Sequence, residues 1–258
     1  MFNFVFYYLL KKKMKTDYLN IYSNLNDFQR IITESTKEWV NKFVRPKIED
    51  AFVNGKPLSL KKELAELGCF GPIFPEKYGG LGIDYISYGL MMKELEKGDS
   101  SIRVASSIQT SLVMYAIYNY GNEEQKKKYL PPLSKGEIVG SFAMSEPSHG
   151  SDISNLQTRF KIEEDKIIIN GSKLWIGNAD NADITIVWAK NNLDNVQAII
   201  VETKNISNFQ STTLKNKLSF RSSYTGELFF DNSIVPSKQL LKYTKSIKDA
   251  YKCLNIGR

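Results

Sequence analysis

The apolar residues of this chain pass from helical to strand spacing between Pro131 and Ile138, and that change sets the architecture. Before it they recur at helical intervals. Residues 26 to 54 read as one helix with Asp27 as N-cap, its pattern carried by Phe28, Ile31, Ile32, Trp39, Val40 and Phe43 and interrupted at Pro46. Leu58 to Leu67, Asp84 to Lys97, a segment capped by Ser100 and ending near Tyr120, and Glu123 to Leu130 follow as helices. The Gly- and Pro-rich GCFGPIFPEKYGG is loop, and Pro131-Pro132 halts the last helix. Beyond the change the runs are short and strand-like: Ile138–Met144, Leu156–Ile162, Ile167–Ile169, Ile184–Ala189, Ala198–Val201 and Leu228–Phe230. Strands with no helices between them imply an antiparallel barrel or sandwich. Ser246 to Gly257 is helical again. The expected fold class is α+β multidomain: an extension at 1–24, an all-α domain at 25–137, a β domain at 138–240 and a further helix within 241–258.

Composition excludes more than it identifies. A net charge of +7 would suit nucleic acid or phosphorylated ligands, but no nucleic-acid motif accompanies it, so a solvated basic surface is the expectation. Two distant cysteines, Cys69 and Cys253, give no disulfide framework, and the single histidine, His149, cannot support a histidine-rich metal site. The apolar run Phe2 to Leu10 is too short to span a bilayer and has its lysines on the wrong side for a secretory signal. Met14 is an alternative start, and a weak membrane-surface anchor is the other reading of that segment. No GxGxxG loop is present, which argues against a nicotinamide enzyme.

Three stretches can carry chemistry. Ser141 to Asp152 opens as a strand and breaks into small and polar residues, Ser145, Pro147, Ser148, Gly150 and Ser151. Such a loop offers bare N–H groups, hydroxyls and a glycine that permits close approach, which suits a flat ligand with many acceptors. Lys173 to Asn178 puts Trp175 in a strand beginning after a turn at Asn170-Gly171, where the indole either covers an aromatic ligand or sits in the core. With Ser100 as N-cap, Arg103 falls at the third helical position, where a cation beside free N–H groups makes an anion site. Glu96 can hold the guanidinium and Ser107 lies one turn on. The alternative is an ordinary surface arginine paired with Glu96.

AMSEPSHGSD and KLWIGN resemble the two flavin segments of the acyl-CoA dehydrogenases. The resemblance runs from about Trp39 to Arg258, through GPIFPEKYGG, KELEKGDSSIR, QTSLVMYAIYNYG, EEQKKKYLPPLSKGE and SFRSSYTGELFFDN, and is closest to the glutaryl-CoA-specific branch. It implies an FAD flavoenzyme with Phe142, Met144, Ser145, Gly150, Ser151, Trp175, Ile176 and Gly177 along the flavin. Ser151 would also meet the acyl-CoA, as would Leu254, Asn255 and Arg258. Glu96, Arg103 and Ser107 match the positions that recognise the far carboxylate of a dicarboxylyl thioester, a bidentate contact that a monocarboxylic substrate does not need.

Two positions depart from the pattern. His149 replaces a smaller residue, and Gly177 stands where most members have a threonine bonded to the flavin N5; the lost hydroxyl removes roughly 1 kcal/mol. Some related acyl-CoA oxidases carry glycine there, so an oxidase is an alternative.

The family continues into a second helical bundle that carries the catalytic glutamate and most of the subunit interface. This sequence stops at its start, so the chain is expected to be a truncated form, with its last helix frayed. Glu146 is structural by resemblance and Glu96 is committed to Arg103, so no catalytic residue is expected here. The implied reaction is α,β-dehydrogenation, with decarboxylation for glutaryl-CoA. The implied partners are an acyl-CoA substrate, electron-transfer flavoprotein as electron acceptor and copies of the chain in a homotetramer. The implied location is the cytoplasm, or the mitochondrial matrix in a eukaryote. A non-catalytic remnant binding acyl-CoA or flavin, and one half of a split enzyme, are the competing readings.

Overall fold

The computed structural model describes Asp17 and residues 19–257; the readings placed on Phe2 to Leu10, Met14 and Arg258 lie outside them. The helical part opens with α1 (Asp27–Trp39), a π-helical turn (Val40–Val44) and α2 (Arg45–Val53). The N-cap is Asn26, one residue before the expected Asp27, in a reciprocal capping box with Gln29. Pro46 does not break the helix, because it falls in the first turn of α2, where its missing N–H is no loss. Next come α3 (Lys61–Glu66), α4 (Tyr85–Gly98), α5 (Ser100–Ser107), a π-helical stretch (Ile108–Met114), α6 (Tyr115–Tyr120) and α7 (Glu123–Ser134). Pro131 and Pro132 lie inside α7, so they do not stop it as expected. A core of Trp39, Val44, Leu64, Met91, Leu95 and Ile102 holds α1–α5 together.

The second part is a curled seven-stranded sheet: β1 (Gly140–Ala143), β2 (Arg159–Glu163), β3 (Lys166–Gly177), β4 (Ile184–Lys190), β5 (Val196–Glu202), β6 (Phe209–Thr213) and β7 (Thr225–Pro236). It is mixed where a wholly antiparallel one was expected. β1 runs parallel to β4, Gly140 opposite Ile184, and β2 meets the far end of the same edge at Arg159↔Lys190, also parallel. The reason is the connection: residues 144–183, with the β2–β3 hairpin inside them, are long enough for a crossover. The expected turn at Asn170-Gly171 is absent too. β3 passes through it with a bulge between Ile169 and Gly171. Gly171 has φ 142°, and a Cβ there would meet the Thr158 backbone at 2.7 Å.

Helices and sheet share a core in which Ile117, Leu130 and Leu133 join Phe142, Ile186, Trp188 and Ile200. The same core buries Ala250 and Cys253 of the last helix, α8 (Ile247–Gly257). The expected frayed tail is therefore an ordered helix lying along the Ile108–Met114 stretch, with Gly257 near Leu112 and Ser111. Two polar ties reinforce the joint. Arg221, in the β6–β7 connection, donates to the last carbonyls of α2, Phe52 O (2.7 Å) and Val53 O (3.0 Å). Glu202 of β5 accepts from Lys128 (2.6 Å) and Tyr129 (2.7 Å) of α7. Burial opposes the charge on Glu202, but these two donors outweigh it and hold the carboxyl at about 2. A depressed carboxyl stabilises above its ordinary range and loses that contribution as pH falls toward its folded value. The melting midpoint should therefore drop between about pH 4.5 and 2. Glu202→Gln should melt lower at pH 6 and converge on the parent near pH 2; parallel melting curves at both pH values would count against this tie.

Candidate active site

The strand-to-loop break after β1 and the C-terminal end of β3 form the walls of a cavity of about 550 Å³. Phe142, Met144, Ser145, Gly150, Ser151, Trp175, Ile176 and Gly177 all line it, joined by Leu254 and Tyr251 from α8 and by Ile108 and Leu112 from the π-helical stretch. Trp175 holds φ 62°, a left-handed conformation that bulky residues rarely adopt. It sits at the second bulge of β3, between Leu174 and Ile176, and stands 64% exposed. Strain of this kind persists only where surrounding structure imposes it, and it concentrates at ligand sites. The chain's other tryptophans, Trp39 and Trp188, are buried.

The Ser145–Ser151 side of the cavity is polar. Among the described residues the backbone N–H groups of Gly150 and Ser151 and the hydroxyls of Ser145 and Ser151 bond to no protein group. A Cβ on Gly150 would project into open space. These free donors, in a cavity shared with an exposed indole, fit a flat, acceptor-rich ring system. The wall at Gly177 is apolar: a Cβ there would lie 2.3 Å from Ile108 Cδ1, so Ile108 fills the room that a side chain would take.

A second cavity, of about 830 Å³, lies beyond the same helices and contains Glu96, Arg103, Ser107 and Asn255. Consecutive residues face the two: Ser107 and Ile108 on one helix, Leu254 and Asn255 on the other. The helix start differs from the expectation. Asp99, not Ser100, is the N-cap and accepts from Ser101 N, and the Arg103 N–H itself donates to Asp99 O at 3.2 Å. Arg103 is therefore one position deeper than a free N–H site, and its partner, not the helix dipole, fixes it. Its Nε donates to Glu96 Oε2 at 2.7 Å while Ser100 Oγ donates to Glu96 Oε1. Burial opposes the Glu96 charge, but these two donors outweigh it and bring the carboxyl below its usual range. Arg103 Nη1 and Nη2 make no hydrogen bond among the described residues. The side chain is 28% exposed and lines this second cavity, not the one beside Trp175.

Sequence reasoning missed Tyr88 and Lys93 in this second cavity. Tyr88 donates to or accepts from Ser111 at 2.8 Å, and burial pushes its phenol up to about 12. Burial and the neighbouring Lys97 lower Lys93. Both residues lie on α4 among apolar neighbours, and nothing in their spacing marks them. A third cavity, of about 500 Å³, shares Ile108, Trp175 and Gly177 with the first and adds Lys217, Leu218, Phe220 and Thr225. Among the described residues no cluster of His, Cys, Asp and Glu could hold a metal ion, and no helix is long and apolar enough to cross a membrane.

A helical layer on a curled sheet, with an indole-walled cavity at their junction, is the architecture of a large flavoenzyme family. Residues 26–137 match the acyl-CoA dehydrogenase N-terminal domain and residues 141–233 the acyl-CoA dehydrogenase middle domain. The chain belongs to the acyl-CoA dehydrogenase family. It is 33% identical over 227 residues to glutaryl-CoA dehydrogenase of Desulfococcus multivorans, covering 84% of this chain and 58% of that one. It is 32% identical over 228 residues to mitochondrial isovaleryl-CoA dehydrogenase of Pongo abelii, covering 85% and 54%. The solved glutaryl-CoA dehydrogenase of Mycobacterium smegmatis in complex with FADH2 superposes with a TM-score of 0.90 at 35% identity, covering 93% of this chain and 61% of that one. The chain thus spans little more than half the length of the curated relatives it matches.

Proposed function

We propose that this chain forms the flavin- and acyl-binding portion of an FAD-dependent acyl-CoA dehydrogenase acting on a dicarboxylyl thioester, with glutaryl-CoA as the substrate. The observation that carries the substrate choice is the free Nη1/Nη2 end of Arg103, held by Glu96 within a cavity one residue step from the indole-walled one. A planar guanidinium matches a carboxylate bidentately, which a hydrocarbon acyl tail does not require. Trp175 and the free donors of Gly150, Ser145 and Ser151 would hold the isoalloxazine. Bound FAD would supply the hydride acceptor for α,β-dehydrogenation. Ser151 and Leu254 would flank the thioester, and Arg103, Ser107 and Asn255 would orient its far end.

The reaction also needs a base for the α-proton. No carboxylate lines the indole-walled cavity among the described residues; Glu146 is turned into the core and Glu96 is paired with Arg103. We infer that this chain binds but does not turn over its substrate alone, and that electron-transfer flavoprotein and further copies of the chain are partners of a complete enzyme. Titrating FAD into the purified 258-residue chain should quench flavin fluorescence saturably, and adding glutaryl-CoA should reduce no electron acceptor. Acceptor reduction by the chain alone would sink the second inference, and absence of FAD binding the first.

The apolar wall of Ile108 beside Gly177 keeps the oxidase reading in play. Hydrogen peroxide release from a complete relative carrying this glycine would favour it.

A further inference from the structure

Glu146 is the one acidic residue in the Ser145–Ser151 loop, and its carboxylate is directed inward, away from the ligand cavity. It accepts from Lys173 Nζ at 2.9 Å, from Thr158 N at 2.8 Å and from Gln157 N. Lys173 is fully buried and donates also to Met144 O at 3.1 Å, while Leu174 N donates to Ser145 O at 2.9 Å. Reciprocal backbone bonds between Glu146 and His149, 3.1 and 3.2 Å, close the loop on itself. His149 Nδ1, which has no hydrogen-bond partner, stands 3.7 Å from the same carboxylate. One carboxylate therefore ties together the loop, the segment entering β2 and strand β3.

A buried ion pair is a weak device for stability, since apolar residues of similar volume often serve as well. What this pair provides is registration. Lys173 stands two residues before Trp175 on β3, and Glu146 lies between Ser145 and Ser151, so their bond joins the two segments that line the cavity. We propose that Glu146 and Lys173 are positioning residues that set the separation between the Ser145–Ser151 loop and the Trp175 bulge. The proposal rests on the flavin reading only for the identity of the ligand between those walls.

The full chain carrying Ser151→Cys, labelled with bimane, measures this separation directly. Ser151 is exposed while Cys69 and Cys253 are fully buried, so the new thiol takes the label. Trp175 is the exposed tryptophan, so contact quenching of bimane reports its distance from residue 151. Trp175→Phe sets the unquenched level. The test variant is the double substitution Glu146→Gln/Lys173→Met, which removes both charges at nearly constant volume and strands neither. Its bimane emission should rise most of the way to the Trp175→Phe level while the melting midpoint stays close to the parent's. Without the label, its dissociation constant for FAD should weaken about ten-fold, as expected when about one hydrogen bond to the ligand is lost. Unchanged bimane emission overturns the proposal. So does a double variant that no longer folds, because the pair would then serve the fold and not the spacing. A bimane response with no FAD binding by either chain leaves the positioning intact and removes the flavin reading.

Discussion

Arg103→Met should lower the affinity of the chain for glutaryl-CoA by about 10- to 150-fold and leave its affinity for butyryl-CoA nearly unchanged. The range corresponds to the roughly 1.5–3 kcal/mol of a hydrogen bond to a charged group. Methionine keeps the apolar stem of the side chain, so the packing of α5 is preserved and only the fork is lost. Two local features make the effect selective. Glu96 takes Nε and leaves Nη1 and Nη2 for a ligand. Glu96 is itself locked by Ser100, so it cannot follow the guanidinium if a ligand pulls on it. Calorimetric titration of both thioesters into parent and variant decides the matter. An equal loss for both would mean that Arg103 meets the common CoA moiety, and the dicarboxylyl assignment would fall with it.

Glu146→Gln should destabilise the fold by about 3–5 kcal/mol near neutral pH, the usual cost of stranding one partner of a buried ion pair. Its pH dependence identifies the cause. Burial drives Lys173 down to about 8 although Glu146 pulls it up. A lysine with a depressed folded value binds fewer protons folded than unfolded, so its contribution to stability grows with pH between the two values. In the parent that window runs from about 8 to the ordinary lysine value of 10.5. Removing Glu146 takes away the group that holds Lys173 up, so in the variant the window opens below 8. Denaturant unfolding of Glu146→Gln at rising pH should therefore recover part of the loss before pH 8, where the parent is flat. A deficit that stays constant with pH would point to lost hydrogen bonds at Gln157 and Thr158 and not to a stranded cation.

Both predictions concern residues that the sequence exposes to different degrees. The order of the helices and of six of the seven strands follows from apolar spacing, and the stretches around Ser145 and Trp175 stand out because their small, polar and aromatic residues interrupt it; β6, whose FQSTT is mostly polar, does not show in that spacing. Details that depend on a distant partner do not. The parallel pairing of β1 with β4 needs the length of the intervening crossover, which composition does not encode as direction. Asn170-Gly171 has the letters of a turn, but β7 supplies partners on both sides and converts it to a bulge. Asp99 and Ser100 are both good caps, and only the backbone shows that Asp99 does the capping. Tyr88 and Lys93 enter the second cavity because α4 is turned that way against α1 and α5, an orientation set by packing. Lys173 is the sharpest case: a lysine in the middle of a strand reads as a solvent-facing residue, and only Glu146, 27 positions away, makes its burial possible.

The parallel seam between β1 and β4 also governs the order in which the molecule can assemble. Gly140 pairs with Ile184, 44 residues along, and both walls of the indole-lined cavity hang from the connection between them. Closing so long a loop is slow compared with forming the β2–β3 hairpin inside it. The two cavity walls are thus brought together later than the hairpin that lies between them. Amide exchange should be fast at Ser148 to Asp152 and slow at Ile186 and Val187, and a ligand seated between the walls would act as the clasp that brings the two rates together.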